Sequence, residues 1–180
     1  MAAGFSYGGW TTLAAGGVQA NHAGFVQHCV DHRDTSSHCN DLIGGGVNIA
    51  GMDANAFDAS YADPRITHVT AVDPGLIWNL DAAHTAALTV PTRLIALGAG
   101  EDRLLATDFD QSGFAALVPH ADITRIAPAS HFMFLPLCTQ QGATPLEAEN
   151  DDPVCTDPAG SDRAALHDQV IDLIAADLNL

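Results

Sequence analysis

The sequence predicts an α/β fold in which helices cover both faces of a parallel sheet. Short apolar segments alternate with helix-like segments along most of the chain, and the connections between them are short. The chain has 180 residues and 47% hydrophobic content, which is sufficient for a packed core and argues against disorder. We therefore expect a single α/β domain that covers residues 1–180.

The first predicted elements surround a glycine-rich turn. Ala2–Phe5 is a short apolar run that is typical of a strand, and residues 10–18 have small and apolar residues at helical spacing. The turn between them, residues 4–9, has the sequence Gly-Phe-Ser-Tyr-Gly-Gly. Residues from about 21 to 63 are rich in His, Asp, Asn and Gly, and we predict that they form an irregular insertion or lid.

The rest of the chain alternates regularly between strand and helix patterns. We predict strands at 66–72, Thr92–Leu97 and Asp122–Ile126, and helices at 81–88, 108–117 and 161–178. In the last helix Leu166, Val170, Leu173, Ile174 and Leu178 share one face. Ser161 and Asp162 provide its N-terminal cap. A proline-rich loop that carries two cysteines is expected at about 136–160.

The charge balance makes nucleic acid an improbable partner. The chain has 22 acidic residues against six basic ones, all of them Arg, and its net charge is -16. Phosphate binding needs clustered cations, which this sequence lacks. No segment has the length and apolarity of a membrane span, and the first residues do not have the layout of a signal peptide. The sequence does not indicate an oligomeric state.

The four cysteines fall into two close pairs in polar segments, Cys29 with Cys39 and Cys138 with Cys155. An even number of cysteines in loops favours disulfides, although four cysteines allow three pairings. Disulfides would imply an oxidising compartment, either a periplasm or the extracellular space. A metal site is the alternative, because His28, Cys29, Asp31, His32, His38 and Cys39 lie close together in sequence, but no C-x-x-C or H-E-x-x-H spacing is present.

The turn after the first strand contains a candidate nucleophile. Gly4-x-Ser6-x-Gly8 matches the G-x-S-x-G elbow, in which a serine lies on a strained turn from a strand to a helix. The strand pattern before it and the helix pattern after it agree with that motif, and Gly9 permits close packing of helix and strand. The alternative is a glycine-rich turn with an ordinary serine.

A serine nucleophile needs a base to accept its proton and an acid to orient that base. Asp102 follows the strand Thr92–Leu97 and His131 follows the strand that ends at Ile126, so the order Ser, Asp, His is the one expected for this motif. Glu101 and Asp73 remain rivals for the acid. His131 is preferred among the nine histidines because it follows a terminal strand and precedes the apolar Phe132–Leu135.

These motifs resemble the α/β-hydrolase superfamily, nearest its dienelactone hydrolase-like members. The likeness rests on residues 4–9, on Gly98-Ala99-Gly100-Glu101-Asp102-Arg103 and on Ser130-His131-Phe132, and the cysteine-bearing loop after His131 resembles predicted exported dienelactone hydrolases. The resemblance implies that Ser6 is the nucleophile, Asp102 the acid and His131 the base. It also implies that the backbone N–H of Tyr7 is one oxyanion-hole donor.

The sequence departs from the family pattern in three ways. Ser130 stands where a glycine commonly precedes the histidine. Only five residues precede Ser6, so we expect a partial α/β-hydrolase fold that begins at the elbow and lacks the earlier strands and the second oxyanion donor. Dienelactone hydrolases proper use a cysteine nucleophile, whereas the serine here indicates an ester hydrolase.

The expected function is that of a serine hydrolase. Its substrate would be a small carboxylic ester or lactone, cleaved through an acyl-enzyme without a metal or organic cofactor. The alternative is a catalytically inactive truncated fragment that retains the triad residues without the half of the fold that assembles them. Several aromatic residues are candidates either for the substrate pocket or for the core: Trp10, Phe57, Trp78, Phe132 and Phe134.

Overall fold

A computed structural model describes residues 1–139, 141–142, 144–145, 152–178 and 180. Its centre is a sheet of four strands in the order β1-β2-β3-β4, and every neighbouring pair is parallel. The strands are β1 (Ala2–Phe5), β2 (Val69–Val72), β3 (Thr92–Leu97) and β4 (Asp122–Ile126). The predicted α/β class is therefore confirmed at this level.

Two buried clusters lie on opposite faces of the sheet, because successive side chains of a strand point to opposite faces. Leu94 and Ala96 of β3 pack in one cluster, which includes Leu13 from the first helix. Ile95 and Leu97 of the same strand pack in the other, which includes Leu166 from the last helix. Helices therefore cover both faces, as predicted.

The helices of the α/β framework lie near the predicted positions. They are α1 (Tyr7–Gly16), α5 (Ala82–Thr85), α6 (Phe114–Leu117) and α7 (Arg163–Asp177). Of these, α1 is shifted toward the amino end, and the other three are shorter than predicted. Asp81 caps α5 and Asp162 caps α7. The first part of the helix predicted at 108–117 is instead turn, preceded by a 3-10 turn at Leu105–Thr107. The apolar face of α7 is buried at Leu166 and Val170 and becomes exposed at Leu178.

The segment predicted as irregular, residues 21–63, is mainly helical at its start. It contains α2 (His22–Asp31), α3 (Ser37–Gly44), a 3-10 turn at Ile49–Gly51 and α4 (Ala54–Phe57). The side chains of Asn21 and Ser36 cap α2 and α3. These helices are short and bury a separate small cluster of Phe25, Cys29, Cys39 and Ile49. The helices are separated by polar capping residues and turns, which is why the sequence pattern did not predict them.

Both predicted cysteine pairings are confirmed. Cys29 bonds to Cys39, with Cα atoms 5.2 Å apart, and Cys138 bonds to Cys155, with Cα atoms 5.7 Å apart. The sulfurs of Cys29 and Cys39 are therefore not thiolate ligands, as the alternative metal site would require. The loop predicted at 136–160 lies only partly within the described residues.

Within the described part of the chain, no helix is both long enough and apolar enough to span a membrane.

Candidate active site

The site is centred on Ser6, which lies between β1 and α1. Its backbone has φ 56° and ψ -120°, a conformation that L-residues rarely adopt. The Ser6 N–H donates to the carbonyl of Val72 at 2.9 Å, and the Ser6 carbonyl accepts from Trp10 N–H at 3.0 Å. The turn is thus bound both to β2 and to α1, which holds the serine at the carboxyl end of the sheet.

Close backbone packing makes two of the neighbouring glycines necessary. A Cβ atom on Gly4 would lie 2.2 Å from the Gly8 carbonyl oxygen, and one on Gly9 would lie 3.0 Å from the Val72 oxygen. A Cβ atom on Gly8 would meet nothing within 4 Å. The crossing of α1 over β1 therefore depends on Gly4 and Gly9, whereas Gly8 is free of steric constraint from its surroundings.

His131 is the first residue of a 3-10 turn, His131–Phe134, that follows β4. Its ring is buried, with 6% of the residue exposed, and lies 4.5 Å from the ring of Phe5 between centroids. Its Nε2 is 3.2 Å from Ser6 Oγ. The structure therefore brings together the serine and the histidine that the sequence analysis selected.

The carboxylate that meets His131 belongs to Asp73, at the carboxyl end of β2. Asp73 Oδ2 is 3.0 Å from His131 Nδ1, and Oδ1 accepts the backbone N–H of Leu97 at 2.9 Å and also bonds the guanidinium of Arg103. Asp73 is fully buried and has φ 43°, a region that Asp tolerates better than most residues. Each oxygen of this buried carboxylate is hydrogen-bonded, as burial of a charge requires.

The expectation that Asp102 lies beside His131 is wrong. Asp102 is exposed in the 3-10 turn Gly100–Asp102, and so is Glu101. Gly98 (φ 90°) and Gly100 (φ 57°) bend the chain sharply after β3, so the carboxylate turns toward solvent. The strand order favours Asp73 as the nearer carboxylate, because β2 lies directly beside β1, whereas β3 is one strand further from Ser6.

A cavity of about 170 Å³ opens beside the serine. Its lining includes Ser6, Tyr7, Leu76, Phe132 and His131, together with His38 and Asp41 from α3. A second cavity, of about 510 Å³, shares His131 and Phe132 and carries Glu101, Asp102 and Asp157 on its wall. The sequence analysis did not single out His38 or Asp41 as pocket residues, since only the packing of α3 on the site reveals them.

Tyr7 and His38 connect the Ser6 turn to α3. The Tyr7 hydroxyl lies 2.6 Å from His38 Nε2, and the two rings are 5.3 Å apart between centroids. Burial lowers the pKa of His38 from its usual value, against the opposing charge of Asp41, which favours the neutral imidazole. Tyr7 is the first residue of α1, so its backbone N–H has no acceptor within the helix and can serve a ligand.

Of the five aromatic residues that were candidates for the pocket or the core, some line a cavity and others pack in the core. Phe132 lines both cavities beside His131. Trp10 and Trp78 pack against the first sheet cluster, Phe134 packs against the second, and Phe57 packs against the small cluster of the 21–63 segment. Most of these residues therefore stabilise the core, and Phe132 is the one that can contact a substrate at the serine.

Comparisons with protein-family models, with curated proteins and with solved structures found no match to this chain. Among the described residues, no group of three or more His, Cys, Asp or Glu side chains has the arrangement of a metal centre.

Proposed function

We propose that this protein is a serine hydrolase that cleaves a small carboxylic ester or lactone through an acyl-enzyme. The observation that supports the proposal best is the continuous series of hydrogen bonds from Ser6 Oγ to His131 and from His131 to Asp73, at 3.2 Å and 3.0 Å. This is the constellation of nucleophile, base and acid that recurs on unrelated folds, and it is recognised by geometry rather than by sequence position.

In the proposed reaction Ser6 Oγ attacks the carbonyl carbon of the ester while its proton passes to His131 Nε2. The tetrahedral intermediate collapses when the bond to the alcohol oxygen breaks, and His131 returns the proton to that leaving group. Water then attacks the acyl carbon while His131 takes one of its protons, and His131 returns that proton to Ser6 Oγ as the bond to the acid breaks. Asp73 holds the imidazole in the tautomer with its proton on Nδ1 and stabilises the imidazolium between these steps.

The turn also supplies a donor for the developing negative charge. We assign this role to the backbone N–H of Tyr7, at the amino end of α1, where the free N–H groups and the helix dipole favour an anion. The cavity beside Ser6, at about 170 Å³, is smaller than typical drug-sized pockets and suits a short acyl group. The disulfides are compatible with an oxidising compartment, so a periplasmic or extracellular location is part of the proposal.

Labelling with a fluorophosphonate tests the role of the serine. We expect the probe to modify Ser6, and Ser6→Ala to abolish both the labelling and the hydrolysis of a short-chain nitrophenyl ester. His131→Ala should lose nearly as much activity as Ser6→Ala, because residues of a triad act as a unit. Labelling that persists in Ser6→Ala would refute the proposal.

A matched pair of carboxamide variants tests which carboxylate is the acid. Asp73→Asn should lower kcat by about 10⁴-fold, because an amide favours the wrong histidine tautomer. Asp102→Asn makes the same chemical change at an exposed position and should stay within about threefold of the wild type, as surface substitutions usually do. The opposite pattern would restore Asp102 as the acid and remove the proposed role of Asp73.

A further inference from the structure

Arg103 is a buried cation at the carboxyl end of β3. Its side chain is 7% exposed. One terminal nitrogen bonds Asp73 Oδ1 and donates to the Leu97 carbonyl at 3.0 Å, and the other donates to the Thr107 carbonyl. The guanidinium carbon lies 5.1 Å from the centre of the Phe109 ring. A flat guanidinium with several fixed donors suits such a site better than an ammonium group.

The bonds of Arg103 leave one carboxylate oxygen of Asp73 for the histidine. Oδ1 is occupied by Arg103 and by the N–H of Leu97, whereas Oδ2 meets His131 Nδ1. A carboxylate held at one oxygen by two donors cannot rotate without breaking both bonds. Its other oxygen is therefore held in line with the imidazole, which is the orientation that the base requires.

We propose that Arg103 is a positioning residue of the active site, which fixes the rotamer of Asp73 and shapes the pH profile of the reaction. The inference rests on the proposed function, since it concerns the same triad. A purely structural Arg103 would tie the turn after β3 to the sheet without affecting the pH dependence of the reaction.

The sign of the electrostatic effect follows from the charges that face His131. Asp73 touches its ring, and Arg103 lies on the far side of that carboxylate. The two cavities that adjoin His131 add Tyr7, His38, Asp41, Glu101, Asp102, Asp152 and Asp157. Among these neighbours the guanidinium opposes a proton on His131, while the carboxylates favour one. Removing the guanidinium should therefore move the acid limb of the pH profile to higher pH.

Three variants in the full chain test this inference. Arg103→Met removes the charge and every donor, so the acid limb of kcat/KM should move upward by about one pH unit. Its kcat should fall by about 10- to 100-fold, because the carboxylate is no longer held in place. Arg103→Lys keeps the positive charge but loses the planar guanidinium with its two terminal nitrogens. Its acid limb should therefore stay in place while kcat falls. Arg103→Gln repeats the comparison if the Met variant does not fold.

Arg93→Met is the matched control. Arg93 lies near the amino end of β3, whereas Arg103 follows its carboxyl end, and Arg93 forms a largely buried ion pair with Asp177. This variant should lose stability and keep the wild-type pH profile. An acid limb that does not move in either Arg103→Met or Arg103→Gln, or full kcat in Arg103→Lys, would overturn the inference. Absence of Ser6 labelling and esterase activity in the wild type would instead refute the proposed function.

Discussion

Two residue positions show how strongly local surroundings decide what a side chain can do. Gly4 has no room for a Cβ atom, and His28 is a titratable ring with 2% of its residue exposed. Neither ring nitrogen of His28 has a hydrogen-bond partner among the described residues, and the ring lies against Trp78 and His32 at 4.7 Å and 4.8 Å between centroids. Each position leads to a prediction about stability.

Replacement of Gly4 should be far more costly than replacement of Gly8 in the same turn. In Gly4→Ala the new methyl group meets the Gly8 carbonyl and Thr12 Oγ1 at 2.2 Å and 2.8 Å, so the backbone must move. We expect a loss of at least about 2 kcal/mol in the free energy of unfolding. The new methyl group in Gly8→Ala meets no atom within 4 Å, and alanine is a better helix former than glycine. The free energy of unfolding of this variant should therefore be unchanged or slightly higher. Thermal unfolding of the two variants measures the difference, and equal melting temperatures would contradict it.

His28 should make the protein less stable as the pH falls below neutrality. Its pKa is lowered to about 4, mainly by burial and in addition by the nearby His32, against the opposing charge of Asp31. Between about pH 6.5 and 4 the unfolded chain binds a proton here that the folded chain does not, so stability falls with falling pH by at most about 1.4 kcal/mol per pH unit.

The variant His28→Phe should flatten this dependence, because its ring can fill the same space without a titratable nitrogen. Denaturant unfolding at several pH values measures the slope. His120→Gln, which changes an exposed histidine, is the control and should keep the wild-type slope. An unchanged slope in His28→Phe would show that other groups cause the acid sensitivity.

At the scale of elements, α2 and α3 are joined to each other by one disulfide and pack around a small apolar cluster. The Cys29–Cys39 disulfide joins the two helices, and α3 brings His38 and Asp41 to the wall of the cavity. Leu76, which lines the cavity, packs against the same cluster as Phe25. The position of this wall therefore depends on the disulfide.

Removal of this disulfide should loosen α2 and α3 and leave the sheet intact. Cys29→Ala combined with Cys39→Ala removes a cross-link across a sequence separation of 10, which the chain-entropy model values at about 2 to 3 kcal/mol. We expect faster amide hydrogen exchange in residues 22–44 and unchanged protection in β3. The double variant of Cys138 and Cys155 is the control and should leave exchange in 22–44 unchanged. Uniformly faster exchange across the sheet would contradict this localisation.

For the molecule as a whole, the net charge of -16 and the carboxylates around the cavities determine which esters the proposed site favours. Asp41 lies on the wall beside Ser6, and Glu101 and Asp102 lie on the neighbouring one. The second cavity is also lined by Arg103, whose charge is paired with Asp73, so carboxylates outnumber cations on these walls. Such a cleft concentrates positively charged ligands. The charge of the alcohol group should therefore influence kcat/KM more than its size does.

We expect the protein to prefer acetylthiocholine over its uncharged isostere 3,3-dimethylbutyl thioacetate by about tenfold in kcat/KM at low salt, with the ratio falling as salt screens the charges. Asp41→Asn should reduce the ratio. Asp168→Asn removes the same charge from the exposed surface of α7 and should not change it. A ratio near one that salt does not alter would contradict the prediction, while hydrolysis of the neutral ester would still support the proposed esterase activity.

The amino-acid sequence by itself determined the α/β class and the bounds of β1, β3 and β4, and it favoured both disulfide pairings and Ser6 and His131 as candidate residues. These features follow from local signals: apolar runs, glycines at a sharp turn, the pairing of nearby cysteines, and the position of a side chain at the end of a strand. Local patterns also explain why the helices in residues 21–63 were not predicted. Short helices with polar caps have the same sequence pattern as irregular structure.

Only the tertiary structure decided which carboxylate meets His131. Asp73 and Asp102 both follow a strand, so the sequence alone could not separate them with certainty. The order of the strands places the end of β2 beside Ser6, and the turn after β3 directs Asp102 to solvent while it directs Arg103 inward. Contacts such as Asp73 with His131 and Tyr7 with His38 join residues far apart in the chain, and their geometry depends on how strands and helices pack rather than on any local pattern.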